Sequence, residues 1–259
     1  MRRLLLLLTA LMTTAGYAAD SPGSVLITGA SRGIGFEFAR QYAEAGWQVF
    51  ATARNPQGSE NLTALATAHA NVRLEQLDVI DGDSIAALAK RLDGAPIDVL
   101  INNAGDTDGF RGQIFGKLAH DRFNYAMELN AHGPIRVAEA LYPNVLASRQ
   151  KRIVAITSLA GSFGVKGGGM PGGYWYKASK SALNMLMLSL AADVRAEGVT
   201  VACLSPGTVD TQGLAERGMA MPGMIDVKVS VTGMRKVIDG LSLDSTGAFI
   251  RYNGEPQPW

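Results

Sequence analysis

Tyr176 and Lys180 stand four residues apart in a stretch that reads as helix, so both side chains lie on one face. A tyrosine titrates near pH 10 and is a poor acid or base at pH 7. Lowering it by about 3 units requires about 4 kcal/mol. One ammonium about 4 Å away supplies roughly that at an effective dielectric near 20. The spacing therefore suits a proton donor that carries its own pKa control. A surface pair would show the same spacing, so the pair alone decides nothing.

A second feature lies near the start of the chain. Thr28-Gly29-Ala30-Ser31-Arg32-Gly33-Ile34-Gly35 follows a short apolar run and precedes a helical pattern. Glycines in such a turn let backbone N–H groups approach a pyrophosphate at the helix N-terminus. The spacing is Gly-x-x-x-Gly-x-Gly. Its place between a strand and a helix gives it more weight than the string itself. A site preferring NAD would carry an acid about 20 residues further on, at the end of the second strand. Here Ala51-Thr52-Ala53-Arg54 stands instead, and Arg32 lies in the turn. Two guanidiniums suit a 2′-phosphate, so NADP(H) is expected over NAD(H).

Further motifs follow in order: Asp78, Asn102-Asn103-Ala104-Gly105, Asn130, Ser158, Tyr176-x-x-x-Lys180 and Pro206-Gly207. Together with the glycine turn they resemble the short-chain dehydrogenase/reductase family across essentially the whole chain after its first residues. Phe110-Arg111-Gly112, Ser230-Val-x-Gly-Met234 and the ending Phe249 to Trp259 look like the C-factor and sniffer-type carbonyl reductases.

The resemblance implies roles. Ser158 would hold and polarise the substrate oxygen, Tyr176 would protonate it, and Lys180 would lower the tyrosine pKa and bind the nicotinamide ribose. Asn130 would support a water-linked relay to Lys180. Gly29, Ser31, Arg32, Gly33, Ile34 and Gly35 would cradle the phosphates, with Arg54 nearby. Asp78 and Val79 would meet the adenine, and Asn103, Ala104 and Gly105 the adenosine side. Pro206, Gly207, Val209 and Thr211 would border the nicotinamide, the last two at its carboxamide. The reaction implied interconverts a small carbonyl compound and its alcohol. The alternative is a catalytically idle nucleotide-binding protein that signals or scaffolds. The segments 117–147 and 174–196, by the same resemblance, would form a homodimer or homotetramer surface.

One departure stands out. Ser158 and Tyr176 are separated by a Gly-rich insert, 161–173, longer than the family usually has. It is expected to loop over the substrate site without parting the two residues. Tyr174 is a competing tyrosine, but position 178 is Ala, so it lacks the paired lysine. Met219, Met221 and Met224 fall in a loop expected over 207–226 that either covers substrate or is plain surface. Trp175 and Phe163 suit a pocket wall or core packing equally.

These residues need elements to hold them. Short apolar runs at 24–28, 47–52, 72–77, 97–101, 153–157, 199–204 and 248–251 read as strands. They lack alternation, as strands buried on both faces do. Helical patterns lie between them at 36–43, 61–70, 81–92, 117–147, 174–196 and 227–241, with Asp81 as an N-cap. Seven strands alternating with helices predict an α/β fold, a Rossmann-type doubly wound parallel sheet with helices on both faces. An eight-stranded α/β barrel would need one more unit. No linker breaks the rhythm, so 19–259 reads as one domain.

Composition narrows the classes. The chain has 259 residues, 47% hydrophobic and 18% charged, with formal net charge +1. That excludes wholesale disorder and a global basic field for nucleic acid. The single cysteine, Cys203, excludes an internal disulfide and cysteine-rich metal sites. His69, His120 and His132 are scattered, so no metal site is expected. Met1-Arg2-Arg3, a leucine-rich run to Met12 and Gly16-x-Ala18 form a secretory signal pattern over 1–18. The apolar run is short for a bilayer span, so no stable span is expected after cleavage. Cleavage would remove both arginines and no acid, taking the net charge from +1 to −1. The pattern predicts an exported protein, periplasmic in a Gram-negative source, and a cytoplasmic one if the segment is inactive. Export of folded protein with cofactor bound, for which Arg2-Arg3 is a weak twin-arginine signal, would reconcile export with a cofactor scarce outside the cytoplasm.

Overall fold

Leu26 packs into one apolar layer while its neighbours Val25 and Ile27 pack into another, and all three are fully buried. A strand covered on both faces requires that, and every other choice follows from it. The computed structural model describes residues 22–107, 113–165, 171–211 and 223–259. The signal pattern at 1–18, Phe110-Arg111-Gly112, Met219, Met221 and positions 166–170 of the Gly-rich insert lie outside the described residues.

The seven expected strands form: β1 (Ser24–Ile27), β2 (Gln48–Ala53), β3 (Val72–Gln76), β4 (Val99–Asn102), β5 (Arg152–Ile156), β6 (Thr200–Ser205) and, last in the chain, β9 (Ala248–Arg251). They make one parallel sheet in the order β3-β2-β1-β4-β5-β6-β9. Helices α1 (Gly33–Glu44), α2 (Glu60–Ala68) and α8 (Val227–Asp239) cover one face through Phe38, Tyr42, Leu62, Leu65, Val231 and Met234. Helices α3 (Gly82–Arg91), α5 (Gly133–Ala140) and α7 (Tyr174–Val194) cover the other. Asp81 caps α3, its carboxylate accepting from Asp83 N at 3.0 Å.

The order reverses between β1 and β4: the chain winds outward to β3, then returns to the other side of β1. Loops after the strands part there and leave a crevice at the carboxyl ends, where open α/β sheets bind ligands.

Two expectations need correction. The single helix expected over 117–147 is broken. Helix α4 (Arg122–Met127) passes into a π turn at Glu128–His132, then α5, then α6 (Tyr142–Leu146). Pro134 and Pro143 have no N–H to continue the ladder, and the Gly133 N–H reaches back five residues to Glu128 O. Asn130 sits in that wide turn. The loop expected over 207–226 contains two short strands, β7 (Thr208–Asp210) and β8 (Met224–Asp226), which pair in parallel with Val209 opposite Ile225.

Candidate active site

The glycine turn is built by its neighbours. Thr28 Oγ1 accepts from both Asn103 N and Ala104 N at 2.9 Å. Asn103 Nδ2 donates to Thr28 O at 2.9 Å and to Gly29 O at 3.2 Å. The loops after β1 and β4 are thereby one unit. Gly29 turns with φ +68°, a conformation that side chains disfavour. A Cβ on Gly35 would collide with the Gly29 carbonyl and the Asn103 amide. Helix α1 begins with no side-chain cap and no acid in its first turn. Its N-terminus thus presents partial positive charge to an anion.

A cleft of about 380 Å³ runs from this turn across the switch point. Of the expected cofactor residues, Gly29, Ser31, Arg32, Gly33, Ile34, Gly35, Arg54, Asp78, Val79, Asn103, Ala104, Gly105, Pro206 and Thr211 line it, with Tyr176 and Lys180. Gly207 and Val209 do not. Gly207 turns toward Ile225 and Tyr252, and Val209 is held in the β7–β8 pair. Arg32 and Arg54 are exposed, and among the described residues neither has an ion pair. The glycine cradle, the uncapped helix end and the two cations fit a dinucleotide phosphate chain.

Tyr176 and Lys180 line the same cleft, and Ser158 follows its lining residue Thr157. Ser158 opens the turn after β5, and its hydroxyl accepts from Ala160 N at 3.1 Å. The Gly161 carbonyl accepts from Ser181 Oγ at 2.9 Å, which seats that turn on α7. Despite the Gly-rich insert, the Ser158 hydroxyl stays near enough to the Tyr176 phenol to favour its ionised form.

The effect expected of Lys180 on Tyr176 takes a different form. Burial raises the Tyr176 hydroxyl above its ordinary value; the Ser158 hydrogen bond opposes this, and the Asp106 charge adds to it. Lys180 Nζ instead donates to Ile156 O at 2.9 Å, 5.9 Å from the Tyr176 ring centre. Burial pushes Lys180 itself down to about 8. Four-residue spacing puts both side chains on one face, but the ammonium turns to the end of β5.

Asn130 lies behind the cleft. Its Oδ1 accepts from Asp106 N at 2.9 Å, and its Nδ2 donates to Asp106 O at 2.9 Å and Ser179 Oγ at 3.0 Å. A Cβ on Gly105 would lie 2.9 Å from Asn130 Oδ1 and 3.5 Å from Lys180 Nζ. Gly105 thus keeps open the space that both groups face.

The family model for short chain dehydrogenases matches residues 24–221. The chain belongs to the short-chain dehydrogenase family. It is an oxidoreductase by that membership, and its cleft suits a nicotinamide dinucleotide. The C-signal protein of Myxococcus xanthus is 36% identical over 174 residues, 67% of this chain and 99% of that one. The NADPH-bound carbonyl reductase from chicken fatty liver superposes with TM-score 0.81 at 32% identity, covering 91% of this chain and 94% of that one. The carbonyl reductase Sniffer of D. melanogaster gives 0.82 at 27% identity, covering 91% and 99%.

Sequence reasoning missed some lining residues of this short-chain dehydrogenase. Thr107, Tyr125, Leu129, Ile156 and Thr157 border the cleft, and Asp106 does too. Tyr125 and Leu129 follow only from where α4 and the π turn bring them. Among the described residues no helix is long and apolar enough to cross a membrane.

Proposed function

We propose that this short-chain dehydrogenase is an NADP(H)-dependent carbonyl reductase. It interconverts a small carbonyl compound and its alcohol, with Tyr176 as acid and base. The observation that carries the reading is Ser158 acting on the Tyr176 phenol beside Lys180, with Tyr176 and Lys180 lining a cleft that also takes in an uncapped helix N-terminus and two exposed arginines.

Bound NADPH supplies the hydride. The chain supplies the rest. The Ser158 hydroxyl, next to Tyr176, turns toward the substrate oxygen and fixes it beside the phenol. Tyr176, kept protonated at pH 7 by burial, donates its proton to that oxygen as negative charge develops there. Lys180, poised at about 8, replaces the proton through the space beside Gly105 that it shares with the Asn130 amide. The Asp106 charge adds to burial in favouring the protonated phenol, the form that reduction uses.

The test is turnover of NADPH by the purified protein over a panel of ketones and aldehydes, read as loss of reduced-cofactor absorbance. Turnover supports the reading. Tight NADPH binding with no turnover on the whole panel would replace it with the idle nucleotide-binding alternative.

Cofactor choice is proposed to rest on Arg54 with Arg32. A hydrogen bond to a charged group contributes about 1.5–3 kcal/mol, which corresponds to roughly 10- to 100-fold in affinity. Arg54→Glu should therefore weaken NADPH by about tenfold or more, because the site is exposed, and leave NADH binding near its starting value. Fluorescence titration of both cofactors measures this, and equal losses for the two would remove Arg54 from the role. The export reading of residues 1–18 is carried by the sequence pattern alone.

A further inference from the structure

Helix α7 carries Tyr176 in its first turn, yet it begins without a cap of its own. Its N-cap position is Gly173, with φ +69° and no side chain. An α-helix leaves its first N–H groups unpaired, and a buried orphan is destabilising.

The partner comes from 63 residues upstream. Gln113 is buried, with 5% of its surface exposed. Its Oε1 accepts from Trp175 N at 2.8 Å and from Tyr176 N at 3.3 Å. Its backbone carbonyl accepts from Gly173 N at 3.1 Å. Its Nε2 donates to Thr107 O at 3.3 Å, on the loop that lines the cofactor cleft. One amide therefore ties the start of α7 to the loop after β4. A second brace runs parallel: the Trp175 indole donates to Ala119 O at 2.9 Å.

We propose that Gln113 is a positioning residue for Tyr176, acting as a tertiary N-cap on the first turn of α7. The geometry is that of a helix N-cap, whose oxygen accepts from the second and third helical N–H. Here the cap sits on a different element, so it also sets where the helix begins relative to the cofactor loop. One of the two N–H groups it holds belongs to Tyr176 itself. Any shift of that turn moves the phenol relative to the carbonyl it must protonate. A displacement of about 1 Å at a reacting group can lower the rate by about 100-fold.

The inference rests on Tyr176 as proton donor, so Tyr176→Phe is measured beside it. The variants are Gln113→Met, which keeps the stem and loses the acceptor, and Gln113→Glu, which keeps the acceptor. All are compared as full chain with NADPH and the best substrate of the carbonyl panel. Gln113→Met should lower kcat by about 10- to 100-fold while the Kd for NADPH stays within about threefold. Gln113→Glu should recover kcat to within about fivefold of the parent, and its charge should move the pH profile of kcat upward. A merely structural role would lower the melting temperature and leave kcat per folded enzyme unchanged. Gln113→Met within twofold of the parent, or Gln113→Glu no better than Gln113→Met, would overturn the proposal. Loss of activity in Tyr176→Phe with normal Gln113→Met rejects the positioning role alone. Full activity in Tyr176→Phe rejects the proton donor, and the positioning role with it.

Discussion

Replacing Tyr176 with Phe is expected to lower kcat/KM for carbonyl reduction by about 1,000-fold, within the range that a positioned general acid contributes. In free energy that is about 4 kcal/mol of transition-state stabilisation. The ring stays, so packing at the start of α7 stays, and the Kd for NADPH should change by less than about threefold. The separation matters: the phosphate cradle at Gly29 to Gly35 is held by Thr28, Asn103 and Ala104 and not by the phenol. NADPH oxidation read by absorbance, beside fluorescence titration of the cofactor, measures both quantities. A rate within tenfold of the parent would sink the assignment.

The direction of the Tyr176 shift adds a pH signature. Burial and the Asp106 charge hold the phenol protonated, the form that donates in reduction. Alcohol oxidation needs the ionised form, so it should gain rate as pH rises while reduction falls. Both dependences should vanish in Tyr176→Phe, leaving a flat residual rate.

The parallel sheet was legible because its strands are unbroken apolar runs, and such runs have few alternatives once helices separate them. The cradle was legible for a related reason. Gly29 and Gly35 are demanded by close backbone approach and Gly33 by its positive φ, and their spacing stays local in the chain. What escaped depends on distance in sequence. Gln113 meets Tyr176 only because the loop after β4 folds against the start of α7. Tyr125 and Leu129 reach the cleft because α4 and the π turn that follows it pack beside the switch point, a placement that no local pattern states. Val209 was expected at the cofactor, but its pairing with Ile225 bridges a stretch that reads as loop. The Tyr176–Lys180 spacing was correctly read as one helical face. Its electrostatic sign was not, because burial acts on both groups and no spacing rule reports it.

Lys180 makes that point measurable, and it yields the second large effect. Burial lowers its pKa from 10.5 to about 8. The folded state therefore binds fewer protons than the unfolded state between those values, and stability rises with pH across that window. Below pH 8 the lysine is charged in both states, and the full penalty applies, about 3 kcal/mol. Lys180→Met removes the charge and keeps the stem. It also loses the hydrogen bond to Ile156 O, which offsets about 1 kcal/mol. The variant without cofactor should thus be more stable than the parent at pH 7 by about 2 kcal/mol, or about 4–8 °C in melting temperature. The gap should close, and reverse slightly, by pH 10.5, where the parent no longer carries the charge. Over the same change, carbonyl reduction should fall by at least 100-fold, because no group is left to return a proton to Tyr176. Melting curves at pH 7 and pH 10.5 for both proteins decide it: equal or lower stability of Lys180→Met at pH 7 would mean that Lys180 is solvated in the folded chain. A gain in stability with a loss of turnover would mean that the buried ammonium is retained for its chemistry and at the expense of the fold.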